Sequence, residues 1–178
     1  MEPRNKLYPL KIEGASCLSS QISYDERGSL TRIWEKQELL SGFNLSQASY
    51  VSNPLPATLR GLHYQEEPFA ENKLIHCVSG LVVDAIIDLR QESKTYLDHV
   101  LVELGPESIY QGVFVPKGCA HGYLSIKANS NLIYFMDKVY SPKNARGLLW
   151  SDPILKIKWP IIPVHVSERD SNWPILDL

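Results

Sequence analysis

The densest group of residues that could carry chemistry lies at positions 59–65, in the order Leu-Arg-Gly-Leu-His-Tyr-Gln. Arg60 offers a fixed positive charge for an anion, and His63 offers an imidazole, the side chain best suited to accept a proton near neutral pH. An ordinary strand with an exposed arginine and a hydrogen-bonded core histidine would also fit these residues. In a regular strand the two side chains point to opposite faces. They can share a site only if Gly61 permits a bulge; otherwise they act on different parts of a long ligand.

A lysine and two more histidines lie in other strand-like segments. Lys73 begins the run Lys-Leu-Ile-His-Cys-Val and could stabilise a developing oxyanion, although a strand-edge lysine can also extend its charge into water. His121 follows a turn that contains glycine. Together with His63 and His76 it could suggest a metal site. The sequence has neither a His-x-His pair nor four ligands at a recognised spacing, so we predict no metal ion.

Two tyrosines fall on one face of a strand-like run from 131 to 140. With the two-residue alternation of a strand, Tyr134 and Tyr140 point the same way. If that face lines a cavity, one phenol could give a proton to a carbanion and the other could stack on a planar base. Both could equally be core residues with hydroxyls at the rim. Near the C-terminal end, Asp170 could orient a histidine from a distant strand or be a surface carboxylate.

Short strand-like segments must position these residues, because such segments dominate the chain. The runs at 80–89, 100–104, 112–115 and 131–140 are rich in β-branched and aromatic residues, and turns with glycine or proline separate them. Only 35–42 suggests a short helix. Many short strands, few helices and an extended, proline-containing C-terminal segment predict an all-β sandwich or barrel. The length of 178 residues fits one domain spanning 1–178.

The composition argues against several classes of protein. The formal net charge of −2 provides no basic field for nucleic acid, so an anionic ligand needs individually placed cations. Three widely spaced cysteines favour reduced thiols. Because no signal-peptide pattern and no membrane-length apolar run is found, we expect a cytoplasmic protein without a membrane partner. Motifs typical of NAD, ATP and serine-hydrolase sites are absent.

A series of short motifs, in this order and spacing, resembles the dTDP-4-dehydrorhamnose 3,5-epimerase family over nearly the whole chain. The motifs are Asp25-Glu26-Arg27-Gly28, Arg60-Gly61-Leu62-His63-Tyr64-Gln65, Lys73-Leu74, Val83-Asp84, Asp88-Leu89-Arg90, Val115-Pro116, His121-Gly122, Tyr134, Trp150-Ser151-Asp152-Pro153, Trp159-Pro160 and Ser167-Glu168-Arg169-Asp170. The resemblance implies a cupin-type jelly-roll β-barrel, a homodimer and an isomerase without metal or cofactor. It implies action on a nucleotide-linked 4-keto-6-deoxy sugar, in deoxysugar biosynthesis for a polysaccharide or O-antigen.

The resemblance also implies roles for individual residues. His63 corresponds to a general base oriented by Asp170, and Tyr134 to an acid on the opposite face of the sugar. Lys73 corresponds to a cation near the C4 oxygen. The remaining residues implied to contact the substrate are Arg27 and Arg60 at the diphosphate, Gln47 at the nucleotide, His121 in the sugar pocket, Tyr140 near the base, and His76 close to the nucleotide and sugar.

The expected chemistry needs no redox cofactor, because a C4 ketone already acidifies the hydrogens on C3 and C5. Removing either hydrogen leaves an enolate that a nearby cation can stabilise. The chain departs from the commonest pattern of the family near the expected substrate, at Ser29, Arg32, Ser49, His76, Lys138 and Val139. These departures leave open the nucleotide, the sugar and the number of carbons inverted. The alternatives are a single-site 3- or 5-epimerase, a non-catalytic cupin that binds a sugar nucleotide and, least favoured, a metal-dependent oxygenase.

Overall fold

Strands make up most of the regular structure in the computed structural model, which describes residues 5–35 and 42–177. In chain order they are β1 (Asn5–Pro9), β2 (Ser16–Ser20), β3 (Ile22–Asp25), β4 (Gly28–Thr31), β5 (Gln47–Asn53), β6 (Thr58–Gln65), β7 (Lys73–Ser79), β8 (Val82–Asp88), β9 (His99–Leu104), β10 (Gly112–Val115), β11 (Cys119–Ser125), β12 (Ser130–Met136), β13 (Ala145–Gly147) and β14 (His165–Val166). A single short helix, α1 (Glu168–Ser171), lies in the described part of the chain. The predicted all-β class is confirmed. Most of the helix suggested at 35–42 lies outside the described residues.

The strands form two large sheets that face each other as the halves of a jelly roll. The first sheet has the order β1-β2-β10-β7-β12-β5, and the second has the order β13-β6-β11-β8-β9. Neighbouring strands along these orders run antiparallel, and β14 pairs with β6 in parallel. The main core contains side chains from both sheets, for example Ile75 and Leu132 from the first and Ile86 from the second. This core lies between the sheets and is continuous with the space in which a site can form.

The alternation in β8 explains why a carboxylate lies inside the molecule. Ile86 and Val82 belong to the core between the sheets, whereas Ala85 and Ile87 belong to a second cluster on the outer face. Asp84 shares the inner face with Ile86 and is fully buried.

The three cysteines are free and buried, and burial raises the pKa of Cys17 to about 11 and that of Cys77 and Cys119 to about 12.

The C-terminal part of the chain is the extended segment that the sequence predicts. After β13 it crosses the second sheet, and the backbone of Leu149 donates to the carbonyl of Pro174. The indole of Trp159 donates to the carbonyl of Trp150. Ser167 caps the N-terminus of helix α1, and its hydroxyl accepts from the backbone N–H of Asp170. This segment therefore carries Asp170 to the edge of β6.

The hairpin formed by β3 and β4 stands apart from the two large sheets. It is a separate two-stranded sheet with Asp25 opposite Gly28 at its turn. Tyr24 is 77% exposed and Leu30 is 67% exposed, while Ile33 and Trp34 just beyond the hairpin pack against a third apolar cluster.

The described residues contain no helix with the length and hydropathy of a membrane span.

Candidate active site

A cavity of about 180 Å³ opens between the two sheets. Its lining includes six of the residues that the sequence proposed for a site: Gln47, His63, Lys73, His121, Tyr134 and Tyr140. Gln47, Lys73 and Tyr134 come from β5, β7 and β12 of the first sheet, whereas His63 and His121 come from β6 and β11 of the second. The two sheets therefore present different groups from opposite sides of one space.

A bulge in β6 places Arg60 and His63 on the same face of the sheet. His63 pairs with His121 of β11, and Arg60 pairs with Tyr123, so three steps on β6 match two steps on β11. The extra residue on β6 brings Arg60 and His63 to the same face of the sheet. Gly61 has φ +132°, and a Cβ there would lie 2.5 Å from the Cα of Gly122. The bulge that the sequence required for a shared site is present, and it depends on this glycine.

His63 forms a close pair with Asp170. Its Nε2 lies 2.6 Å from Asp170 Oδ1, and the side chains are 37% and 6% exposed. The carboxylate also accepts from the backbone N–H of Gly61 and from the indole of Trp173, each at 3.2 Å. Burial opposes ionisation of Asp170, but the hydrogen bonds from His63, Gly61 and Trp173 outweigh it and lower the carboxyl pKa. Because Nε2 is engaged by an ionised carboxylate, Nδ1 is the nitrogen left for a ligand.

The first sheet brings a phenol and an ammonium group to the same cavity. Burial, with smaller contributions from Tyr123 and Asp84, raises the pKa of Tyr134 well above its ordinary value, so this phenol keeps its proton at neutral pH. Lys73 Nζ lies 2.8 Å from Glu71 Oε1 and donates to the backbone carbonyl of His63 at 3.3 Å. The cavity thus holds a potential proton donor and a potential oxyanion partner across from the imidazole.

A second histidine–carboxylate pair lies beside the first. His121 Nδ1 is 3.2 Å from Asp84 Oδ2, and the two side chains are 3% and 0% exposed. Burial lowers the pKa of His121 despite the adjacent carboxylate, and it raises the pKa of Asp84. The His121 ring meets that of Tyr134 edge to face, with 5.6 Å between centroids. This imidazole is therefore a fixed, neutral group next to the phenol.

Some residues of the cavity lining make contacts with one another that the sequence did not reveal. The backbone N–H of Tyr140 donates to Gln47 Oε1 at 2.8 Å, and Arg169 donates to the Tyr140 hydroxyl at 3.2 Å. Arg169 also stacks on Trp173, 4.9 Å from the ring centroid. Arg169 adjoins Asp170 in a motif already noted, which was the available signal for its place in the site.

Glu71 is another lining residue that sequence reasoning missed. It stands two positions before Lys73, and its side chain is paired with that lysine. A carboxylate two residues from a candidate catalytic lysine was a usable signal, because an opposite charge nearby in the chain can pair with the ammonium; Glu71 itself precedes β7, which begins at Lys73.

Three of the proposed substrate-binding residues lie outside the lining of this cavity. Arg60 is on the correct face but its guanidinium donates to Asn53 Oδ1 at 2.9 Å. Arg27 lies at the turn of the β3–β4 hairpin, exposed and paired with Asp25 at 2.6 Å. His76 points to the outer face of β7, opposite to Lys73, and is buried with its Nε2 3.2 Å from the hydroxyl of Ser20.

Across 5–35 and 42–177, no three His, Cys, Asp or Glu side chains are grouped so that they could hold a metal ion together.

Comparison with known proteins gives consistent matches along the chain. A family model described as dTDP-4-dehydrorhamnose 3,5-epimerase matches residues 9–177. A dTDP-4-dehydrorhamnose 3,5-epimerase from Sinorhizobium fredii (strain NBRC 101917 / NGR234) is 43% identical over 120 residues, which make up 67% of this chain. That match spans 61% of the relative's own length, less than two thirds.

Solved structures match over almost the full chain. The dTDP-4-dehydrorhamnose 3,5-epimerase from Bacillus anthracis, with TDP and PPi bound, has a TM-score of 0.91 at 30% identity, covering 97% of this chain and 99% of that one. ChmJ, a 3'-monoepimerase from Streptomyces bikiniensis in complex with dTDP-quinovose, has a TM-score of 0.86 at 29% identity. The latter match covers 94% of this chain and 86% of that one.

Proposed function

The chain belongs to the dTDP-4-dehydrorhamnose 3,5-epimerase family, and from this premise we propose that it inverts carbons beside the ketone of a nucleotide-linked 4-keto-6-deoxy sugar. The observation that carries the proposal is the placement of His63 and Tyr134 on facing sheets around one cavity. Inversion needs a base on one side of the sugar and an acid on the other, and this pair supplies both. A dTDP-linked 4-keto-6-deoxyglucose is the substrate we propose.

His63 begins the proposed reaction by removing the hydrogen from C3 or C5. Its Nδ1 is the free ring nitrogen, because Nε2 is held by Asp170 at 2.6 Å. The ionised carboxylate orients the ring and stabilises the imidazolium that forms when the proton arrives. Asp170 is therefore assigned a positioning and electrostatic role.

Removal of that hydrogen leaves negative charge on the C4 oxygen of the sugar. Lys73 is the buried ammonium in the cavity wall, and it can donate to this oxygen as the enolate develops. His121, held neutral against Asp84, lies in the same pocket beside the ring of Tyr134. Charge that develops in a water-poor cavity is stabilised more strongly by such fixed donors than it would be in water.

Tyr134 completes the inversion by giving its proton to the opposite face of the carbon. Its raised pKa keeps the phenol protonated, so the proton is available when the carbanion forms. The nucleotide is assigned to the cavity mouth, where Gln47 and Tyr140 already contact each other, with Arg60 on the same sheet face as His63. Arg60 is assigned to the diphosphate as a cation on the inner face; its guanidinium lies against Ser52 and Asn53, at the end of β5 opposite Gln47.

A homodimer is the proposed assembly, in a cytoplasmic setting. Arg27 lies on an exposed hairpin and outside the lining of its own cavity, so its assigned contact with the diphosphate requires a hairpin that reaches a second protomer. The exposed Tyr24 and Leu30 on the same hairpin would then be covered. We also propose that 1–178 forms a single domain.

The test is incubation with dTDP-4-keto-6-deoxyglucose in deuterated water, followed by NMR of the sugar. We expect solvent deuterium at both C3 and C5, together with inverted product. A second candidate is a single-site epimerase, favoured by the similarity to ChmJ, a 3'-monoepimerase. Exchange at one carbon would select that candidate. Exchange at neither carbon, with dTDP still bound, would favour a non-catalytic binder or a different sugar.

A further inference from the structure

A buried ion pair forms part of the cavity wall. Lys73 Nζ is 2.8 Å from Glu71 Oε1, and the two side chains are only 8% and 3% exposed. A charge this far from water is unfavourable unless an opposite charge and hydrogen bonds compensate for it. The carboxylate is therefore the group that allows a charged lysine to occupy this position.

Glu71 is itself fixed from the other side. Gln65 Nε2 donates to Glu71 Oε2 at 2.8 Å and to the carbonyl of Phe69 at 2.9 Å. The amide oxygen of Gln65 accepts from the backbone N–H of Ser141 at 2.6 Å. Both carboxylate oxygens thus have a partner, and the carboxylate is tied to β6 and to the loop that follows β12.

The remaining contact of the lysine links it to the strand that carries the imidazole. Lys73 Nζ donates to the backbone carbonyl of His63 at 3.3 Å. An ammonium group has three N–H bonds, so two are directed by Glu71 and His63 and one is left for the cavity. The direction of that third bond is set by the other two.

We propose that Glu71 is a positioning residue that holds the Lys73 ammonium where the enolate oxygen forms, and that Gln65 fixes Glu71 for this purpose. The inference rests on the proposed function, because Lys73 needs a developing oxyanion to act on. A carboxylate with a purely structural role would support the fold equally whether or not Lys73 is present. A positioning carboxylate matters to the reaction only through Lys73.

The kinetic test compares Glu71→Gln, Lys73→Met and the double variant in the deuterium-exchange assay. Since loss of a single oxyanion donor costs roughly a hundred- to a thousand-fold in kcat, we expect Glu71→Gln to lower kcat by at least about tenfold. KM should change less than about twofold, because the nucleotide contacts are untouched. In the Lys73→Met background, Glu71→Gln should cause no further loss.

Glu67→Gln is the matched control, since Glu67 pairs with Lys117 at 3.6 Å on the exposed surface. It should behave as the unmodified chain. A kcat for Glu71→Gln within twofold of the unmodified chain would overturn the proposal, as would independent, multiplied losses in the double variant. Lys73→Met leaves Glu71 buried without its partner and so can fail to fold; the same comparison is then made with Lys73→Gln.

A measurement without substrate separates this inference from the proposed function. In protein labelled with ¹⁵N-lysine, NMR detects ammonium groups whose protons exchange slowly. We expect one such signal that is lost in the Lys73 variants and also in Glu71→Gln, but kept in Glu67→Gln. Persistence of that signal in Glu71→Gln would overturn the positioning role. If the signal behaves as expected but the unmodified chain shows no deuterium exchange, the proposed substrate is wrong while the anchoring of Lys73 stands.

Discussion

His63 and Tyr134 lie in β6 and β12, strands of opposite sheets, and both side chains reach one cavity. The contact with Asp170 restricts the orientation of the His63 ring, and burial raises the pKa of Tyr134 so that the phenol keeps its proton. His63 is therefore suited to accept a proton, and Tyr134 is suited to donate one. Removing one or the other should interrupt the reaction at different points.

The first prediction compares His63→Ala with Tyr134→Phe. His63→Ala should abolish deuterium exchange at every carbon, because loss of a general base costs about a hundred- to ten-thousand-fold. Tyr134→Phe keeps the ring and removes only the hydroxyl, so deuterium should still enter from the His63 side with retention while inverted product falls sharply. Asp170→Asn should resemble a milder His63 defect. NMR of the sugar separates exchange from inversion.

Nucleotide affinity is the control for these three variants and should change little, since Gln47 and Arg60 are unaltered. If Tyr134→Phe abolished exchange as fully as His63→Ala while the fold stayed intact, the assignment of opposite faces would be wrong. Tyr134 would then belong to the base side of the reaction.

The second prediction concerns the buried His76 and the stability of the fold. Burial lowers the pKa of His76 from 6.5 to about 4, so the unfolded chain binds a proton more readily than the folded one. The folded state therefore loses stability as pH falls from about 6.5 to about 4, by up to about 3 kcal/mol from this residue. His76→Gln should lose less stability over that interval in urea denaturation.

His165→Gln is the matched control, because His165 is exposed in β14. It should leave the dependence of unfolding free energy on pH unchanged. Equal pH dependence for His76→Gln and the unmodified chain would show that another group sets the acid limit of stability.

At the scale of strands, the bulge in β6 decides which side chains meet. Gly61 lies against Gly122 of β11, where neither residue has a Cβ to separate the backbones. A third prediction follows for Gly61→Ala, whose Cβ would lie 2.5 Å from Gly122 Cα at a φ of +132°. We expect a loss of roughly 1–3 kcal/mol in unfolding free energy and a fall in exchange activity, because the bulge orients Arg60 and His63.

Gly28→Ala provides the control for that substitution. Gly28 has a similar φ of +130° at the hairpin turn, but its added Cβ would meet no atom within 4 Å. Thermal denaturation should show a larger loss for Gly61→Ala than for Gly28→Ala. Equal losses would mean that backbone conformation alone, and not the close approach of two strands, accounts for the glycine.

Strands were predictable from the sequence where alternation and turns agree. The run at 112–115 coincides with β10, and most of 80–89 forms β8. The strand predicted at 131–140 is too long, since β12 ends at Met136. There Asp137 accepts from the backbone and side chain of Asn72, at 2.8 and 2.6 Å, and the chain leaves the sheet. Tyr140 reaches the cavity from a loop, and the alternation of side chains along a strand cannot predict the position of a loop residue.

Other parts of the site depend on partners that local patterns do not contain. Arg60 and His63 lie on the same face of β6 because of a bulge that packs against Gly122 in another strand. The pairing of His63 with Asp170 joins residues 107 positions apart. His76 shows the converse: it resembled a substrate contact in sequence but lies on the outer face of β7. Alternation alone separates it from Lys73, three positions earlier.

At the scale of the whole molecule, the β3–β4 hairpin is the feature that most calls for a second protomer. The fourth prediction is a homodimer at micromolar concentration, measured by light scattering. Leu30 is 67% exposed on this hairpin, so Leu30→Lys should weaken the dimer by placing a charge in its apolar contact. Arg27→Gln should keep the dimer but weaken binding of dTDP. A monomeric unmodified chain would contradict the proposed assembly.

The distance along the chain between His63 and Asp170 also sets an order in time. The two side chains are 107 residues apart, and ribosomes add about 5–20 residues per second, so Asp170 emerges roughly 5–20 s after His63. Strands β7 to β14 are all synthesised within that interval. A growing chain can therefore pair its sheets and form the cavity while the imidazole still lacks its carboxylate. A nascent chain that stops short of Asp170 therefore lacks the carboxylate that orients His63.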